Sequence, residues 1–305
     1  MSILAIVIPY YKLTFFEYTL QSLAKQTDQR FKVYIGDDAS PENPVALIEK
    51  YKGKFDYDYH RFENNLGGFN LAEQWNRCVE LTANEHWVMV LCDDDVLSEN
   101  CVLEFYKNLE QINKNEINVV RFATDLIDEE GNKFKEIISH PTIEKATDFF
   151  IRRQNGGTRN SLSENIFKKE IVSKVKFKNF PLAWHSDDLA LLEFSYFGNL
   201  FTINEALVYF RLSAINITNK KNNILEKSEG SFQFFYYLLH KHSTKFTFQE
   251  NNIIQERLEN NILQNKKNIK KWVSILSLYS RNFNFKGFLN LLWKLLQSIK
   301  KNNQL

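Results

Sequence analysis

Cysteine is scarce in this chain: Cys78, Cys92 and Cys101 are the only three in 305 residues, and none belongs to a CxxC pair. That excludes a disulfide framework and predicts a reducing compartment. Five prolines and ten glycines, with 44% hydrophobic and 14% aromatic residues, exclude a linker-like or disordered chain. No run approaches the roughly 18 apolar residues of a spanning helix. The short apolar run before Pro9 has no basic stretch ahead of it and no small-residue cleavage site behind it, so it does not read as a signal peptide. Walker A, GxGxxG and GxSxG sequences are missing, which removes the warrant for P-loop, dehydrogenase and serine-hydrolase readings.

Acidic residues are missing from one region. The last is Glu259, and nine bases follow it (Lys266, Lys267, Lys270, Lys271, Arg281, Lys286, Lys294, Lys300 and Lys301). The formal net charge is only +2, so the tail's +9 stands against −7 in the first 259 residues. Residues 285, 288, 289, 292, 296 and 299 fall on one helical stripe, and Phe283 and Trp293 add further aromatic surface. Residues 266–301 therefore read as a basic amphipathic segment for an anionic membrane surface, or as helices packed on the domain with a solvated lysine face. Nucleic acid is the weakest partner, because no base-reading motif accompanies the charge.

The first hundred residues alternate strand and helix. Leu4–Ile8 is wholly apolar and mostly β-branched, as a strand buried on both faces should be. Thr14 with Glu17 predicts a capping box for the first helix. Strands follow at Phe31–Ile35, more weakly at Tyr57–Arg61, and strongly at Trp87–Cys92, with Ser98 predicted to cap the next helix. This is an α/β pattern with a mostly parallel sheet. Such sheets bind ligands beyond the carboxyl ends of their strands. Asp37-Asp38 and Asp93-Asp94-Asp95 stand at those ends. The triplet suits a divalent cation with phosphate oxygens as co-ligands, or else an acidic turn favouring the next helix N-terminus. Asp37-Asp38 reads as a turn, or as an acceptor for a base or ribose.

In order, Ile6-Val7-Ile8-Pro9-Tyr10-Tyr11, Asp37-Asp38-Ala39-Ser40, Asn65-Leu66-Gly67-Gly68 and Asp93-Asp94-Asp95 resemble the family 2 glycosyltransferases of the GT-A fold. These are the bacterial enzymes of capsule, O-antigen and lipooligosaccharide synthesis. The resemblance covers roughly residues 1–215. It implies a Rossmann-like, mostly parallel sheet flanked by helices, followed by a helical C-terminal region over 216–305. It also implies an inverting transferase that takes a nucleotide-diphosphate sugar, usually UDP-linked, with Mn²⁺ or Mg²⁺.

By that resemblance Pro9 and Tyr10 border the base, Asp38 bonds the uracil, and Asn65, Asp93 and Asp94 complete the nucleotide site. The metal falls to Asp95 if the segment is read as Asp93-x-Asp95, or to Asp94 measured back from the following helix. Asp188 in Trp184-His185-Ser186-Asp187-Asp188 matches the general base, with Asp187 the alternative. Arg211 in Tyr209-Phe210-Arg211 approaches the diphosphate or is a surface residue. Trp184 and His185 form an acceptor platform, or Trp184 plugs the core.

The family's usual Glu-Asp pair is replaced by Asp187-Asp188. The expected acceptor is a glycan or lipid-linked hydroxyl, at the inner face of the cytoplasmic membrane. A non-catalytic scaffold that keeps the nucleotide pocket and is recruited by its basic tail is the competing reading. A sugar-nucleotide pyrophosphorylase needs a glycine-rich basic loop where this chain has Pro9-Tyr10-Tyr11-Lys12. His240-x-His242 lacks the further ligands that zinc requires.

Overall fold

The computed structural model describes residues 3–281 and 285–302. The chain forms two compact units, one up to Asn223 and the other from Ile224 on.

In the first unit, strands β1 (Leu4–Tyr10), β2 (Phe31–Asp37), β3 (Asp56–Arg61) and β4 (Trp87–Val90) alternate with helices α1 (Phe16–Ala24), α2 (Val45–Glu49) and α3 (Leu71–Val79). A two-residue strand β5 (Val96–Leu97) precedes α4 (Cys101–Lys114). Then come β6 (Val119–Ile127), β7 (Ile143–Lys145), α5 (Ala146–Gln154), β8 (Asn165–Lys168), α6 (Lys169–Val175), α7 (Ser186–Phe194) and β9 (Asn199–Arg211). They build one mixed nine-stranded sheet in the order β3-β2-β1-β4-β8-β6-β9-β5, with β7 on β9. The longer ladders, β3-β2-β1-β4 and β6-β9, are parallel. β8 joins them antiparallel to both β4 and β6.

Burial explains which segments became strands. Leu4, Ala5, Ile6, Val7 and Ile8 are all buried, with even residues in the cluster that includes Phe16, Leu20 and Phe105. A second aromatic cluster joins Trp75, Phe167, Phe177 and Phe194 through edge-to-face contacts. β1 lies between β2 and β4, so the chain leaves it first to one side and then to the other. The carboxyl ends of β1 and β4 thus flank a topological switch point, where α/β sheets open a crevice.

Two predicted helix caps are absent. α1 starts at Phe16 without a side-chain cap. The preceding loop is fixed instead by long-range bonds: Asp93 Oδ2 accepts from the amides of Tyr11 and Lys12, and Glu42 accepts from Leu13. Ser98 does not cap α4; its hydroxyl donates to Asn100 Oδ1 and accepts from the Leu207 amide on β9.

The second unit is helical: α8 (Ile224–Lys241), α9 (Phe248–Gln264), α10 (Ile269–Arg281) and α11 (Phe285–Asn302). Thr247 and Glu250 close a capping box on α9. Phe283 lies outside the described residues, as do the side chains of Arg281, Phe285, Lys286, Ile299, Lys300 and Lys301. No described helix is long and apolar enough to cross a membrane.

Candidate active site

A cleft of about 680 Å³ opens at the switch point. Pro9, Asp38, Asn65, Asp93, Asp94, Trp184, His185 and Asp187 all line it. They come from five separate places in the sequence. Tyr10, Asp95, Asp188 and Arg211, also singled out by sequence, do not line it.

Strand alternation accounts for Tyr10. Its neighbour Pro9 faces the cleft, so Tyr10 turns the other way, fully buried against Phe16 with its hydroxyl on the Glu42 carbonyl. Tyr11 and Lys12 take the cleft-lining places, held there by Asp93. Asp93 therefore spends one oxygen organising the β1–α1 loop.

Asp38 is 3% exposed, and both its oxygens are occupied. Oδ1 accepts from the Leu66 amide (2.7 Å) and from Arg77; Oδ2 accepts from Asn65 Nδ2 and the Gly67 amide (2.8 Å each). The carboxylate anchors the 65–67 loop. A Cβ on Gly67 would lie 2.7 Å from Asp38 Oδ2, which explains glycine at that position. Gly67→Ala is expected to destabilise the protein by about 1–3 kcal/mol through overpacking. Thermal unfolding checks it, and an unchanged midpoint would mean the loop yields freely.

Arg211 is buried beneath the cleft floor. Its guanidinium donates to the carbonyls of Asp94, Asp128 and Glu129 (2.8–3.0 Å) and packs near Phe15 and Tyr18. Its own amide donates to Asp95 Oδ1 at 3.0 Å. Arg211 thus shapes the acidic turn from behind and does not line the cleft. Cations that line the cleft are Lys12, Arg153, Arg159 and Lys220. Arg153 and Arg159 already pair with Asp188 and Glu164.

The turn after β4 satisfies the chemistry of a hard divalent cation in part. Ligand atoms of Cys92, Asp94 and Asp95 lie within 4.8 Å of one another. Burial, with the charges of Asp95 and Asp93, pushes Asp94 well above the usual carboxylate range. Burial likewise raises Asp95 to about 6, against the Ser163 hydroxyl, the Arg211 amide and Arg159. Asp95 Oδ2 is buried and, among the described residues, makes no hydrogen bond of ordinary geometry. Asp94 Oδ2 accepts from Asn216 Nδ2 at 3.2 Å. Two crowded, desolvated carboxylates suit Mn²⁺ or Mg²⁺. The Cys92 thiol, driven far up by burial, stays neutral and does not suit them. Of the two aspartates, Asp94 is the one that faces the cleft.

Asp187 and Asp188 diverge because consecutive helical residues point about 100° apart. Asp188 points inward, where Oδ2 meets Arg153 (3.0 Å) and His185 Nδ1 (2.7 Å) and Oδ1 accepts from Asn160 (3.2 Å). Burial opposes its charge, but Arg153, His185 and Asn160 outweigh burial and hold it below the usual range. Burial depresses His185, against the pull of the Asp188 carboxylate that its Nδ1 meets. Asp187 faces the cleft, and burial together with the Asp188 charge raises it to about 7. One of the pair is locked ionised and the other is poised to titrate. Leu182, Ala183 and His185 hold positive φ (61°, 51° and 70°), an uncommon cluster for residues with a Cβ. This backbone turns Trp184 and His185 onto the cleft wall at the entrance to α7.

Sequence reasoning missed Arg153, Asn160 and Asn216. Arg153 lies in the last turn of α5, Asn160 follows it in a loop, and Asn216 follows β9, so each reaches its aspartate across 28 to 122 residues. No local spacing marks such partners.

The family model for Glycosyl transferase family 2 matches residues 5–174. No curated protein matches the chain. Among solved structures, S. aureus TarS 1–349 in complex with UDP-GlcNAc is similar at a TM-score of 0.63 and 16% identity, covering 98% of this chain and 81% of that one. The S. aureus TarS 1–349 complex with UDP follows at 0.55 and 16%, covering 86% and 80%. GalNAc-T7 with UDP, GalNAc and Mn²⁺ is similar at 0.52 and 11%, covering 90% and 58%. At these identities the likeness to solved structures is one of fold, a GT-A-like mixed sheet with flanking helices.

Proposed function

The chain belongs to glycosyl transferase family 2, and from that premise we propose that it moves a sugar, with inversion, from a UDP-linked donor to a hydroxyl of a glycan or lipid-linked acceptor. The reaction would extend a bacterial surface glycan at the inner face of the cytoplasmic membrane. The observation that supports this best is the convergence of Asp38, Asp94 and Asp187 on one cleft at the switch point. TarS structures of the same fold hold UDP-GlcNAc and UDP.

In this reading the nucleotide lies along Pro9, Tyr11 and the 65–68 loop that Asp38 anchors. Asp94, backed by Asp95, would hold Mn²⁺ or Mg²⁺, which when bound neutralises charge on the diphosphate. Lys12 and Lys220, rather than Arg211, are the cations proposed to face the diphosphate, because they line the cleft. Asp187 accepts the proton of the acceptor hydroxyl. The oxygen then attacks the anomeric carbon as the nucleoside diphosphate departs in line, inverting the centre once. Asp188 is a positioning residue: it fixes His185 and Arg153 and keeps Asp187 basic. Trp184 offers an aromatic face to the acceptor sugar.

A thermal-shift screen of nucleotides and nucleotide sugars, with and without Mn²⁺, tests the reading. A ligand that binds only the folded state raises its apparent stability, by about 2.7 kcal/mol at a hundredfold excess over Kd. The expected result is stabilisation by UDP that depends on Mn²⁺, with the best UDP-sugar identifying the donor. No shift with any nucleotide, in folded protein, would overturn the reading; a shift without consumption of any nucleotide sugar would favour the non-catalytic scaffold.

A further inference from the structure

The last two helices carry more apolar surface than their packing uses. In α10, Ile275, Leu278 and Tyr279 are buried, whereas Ile269, Val273 and Leu276 are between 40% and 76% exposed. In α11, Leu291 is buried, whereas Leu289, Trp293 and Leu296 are between 58% and 65% exposed. Each exposed set is spaced i, i+4, i+7, so each helix presents an outward apolar stripe as well as an inward one. The single stripe expected from the sequence is thereby divided. Phe288 and Leu292 are half-buried, while Leu289 and Leu296 stand outside with Trp293. The α10 stripe had no counterpart in that expectation.

Charge identifies the occupant. Nine bases and no acid follow Glu259. Within the unit, Lys271 meets Glu229 at 3.1 Å, and Lys294 meets Glu259 at 2.8 Å. Lys267 and Lys270 are exposed on either side of Ile269, where the α10 stripe begins. A second copy of this surface would bring like charges together, which disfavours pairing. An anionic lipid surface satisfies both features, since apolar side chains enter the acyl boundary while lysines stay among the headgroups.

We propose that the outward stripes of α10 and α11 form a docking surface for an anionic lipid bilayer, with the helices lying in the interface. The proposal rests on these helices alone and is independent of the transferase chemistry.

Flotation of the full-length chain with phosphatidylcholine vesicles, with and without phosphatidylglycerol, tests it. The wild-type chain is expected to float only with the anionic vesicles, and less so as salt is raised. Trp293→Ser with Leu296→Ser should lower the partition by at least about tenfold, from lost apolar burial. Lys267→Gln with Lys270→Gln should lower it by about fivefold for each base removed. All four positions are solvent-facing, and an unchanged thermal transition confirms that the variants fold. Sedimentation velocity without lipid completes the set. Equal flotation of wild type and the Trp293/Leu296 variant overturns the proposal, as does flotation indifferent to phosphatidylglycerol. A concentration-dependent dimer that this variant abolishes would assign the stripes to a second copy and overturn it too.

Discussion

Asp187→Asn is expected to lower transfer by about 10²–10⁴-fold, the usual contribution of a general base, while leaving the UDP-induced thermal shift in place. Only the ionised carboxylate accepts a proton. With Asp187 raised to about 7 by burial and by the Asp188 charge, kcat/KM of the wild type should rise with pH through about 7 and then level off. The residual activity of Asp187→Asn should lack that rise. Stability should move oppositely. A carboxyl whose folded value lies above its unfolded value contributes stability below the ordinary carboxylate range and loses it as pH climbs through about 7. Removing the charge removes that loss, so the melting-point difference between Asp187→Asn and wild type should favour the variant increasingly from pH 5 to pH 8. Asp188→Asn should behave differently, because it leaves Arg153 and His185 without their buried partner. Removing one side of such a pair typically costs about 3–5 kcal/mol. A well-folded Asp188→Asn without activity, beside an Asp187→Asn with normal turnover, would return the base to Asp188.

The choice between Asp187 and Asp188 illustrates where the sequence stops being legible. Both occupy the first turn of α7, and a one-residue step decides which faces the cleft. The deciding groups, Arg153 and Asn160, lie 35 and 28 residues upstream. β1 and β4 were readable because burial on both faces leaves continuous apolar runs, and β2 because only Lys32 interrupts its run from Phe31 to Ile35. β3 was faint because it is an edge strand of alternating, largely exposed residues. β9 was invisible as a unit: its 13 residues are broken by Asn204 and Glu205, where its register against β6 shifts. The acidic clusters announced the cleft because strand ends are where α/β sheets bind ligands. Side-chain direction was another matter. Pro9 and Tyr10 are neighbours of opposite orientation, and Arg211 is drawn under the floor by three carbonyls that no spacing rule connects to it.

Asp38→Ala should separate the two roles open to that residue, as a ligand of the base or as an anchor of the pocket. The carboxylate takes hydrogen bonds from Asn65, two loop amides and Arg77, whose guanidinium also packs 3.9 Å from the centre of the Phe62 ring. Deleting it leaves those donors facing an apolar methyl group and strands a half-buried cation, a change of about 3–5 kcal/mol when the partner group is buried. A domain of this size loses roughly 2–4 °C for each kcal/mol, so the melting point should fall by about 6–20 °C. Nucleotide stabilisation should vanish with it, because the 65–68 loop lines the cleft through Asn65, Gly67 and Gly68. If instead the melting point held and only the UDP shift disappeared, Asp38 would act directly on the base. The four donors would then have to find other partners when the nucleotide arrives, and the loop itself would be the moving part of donor binding.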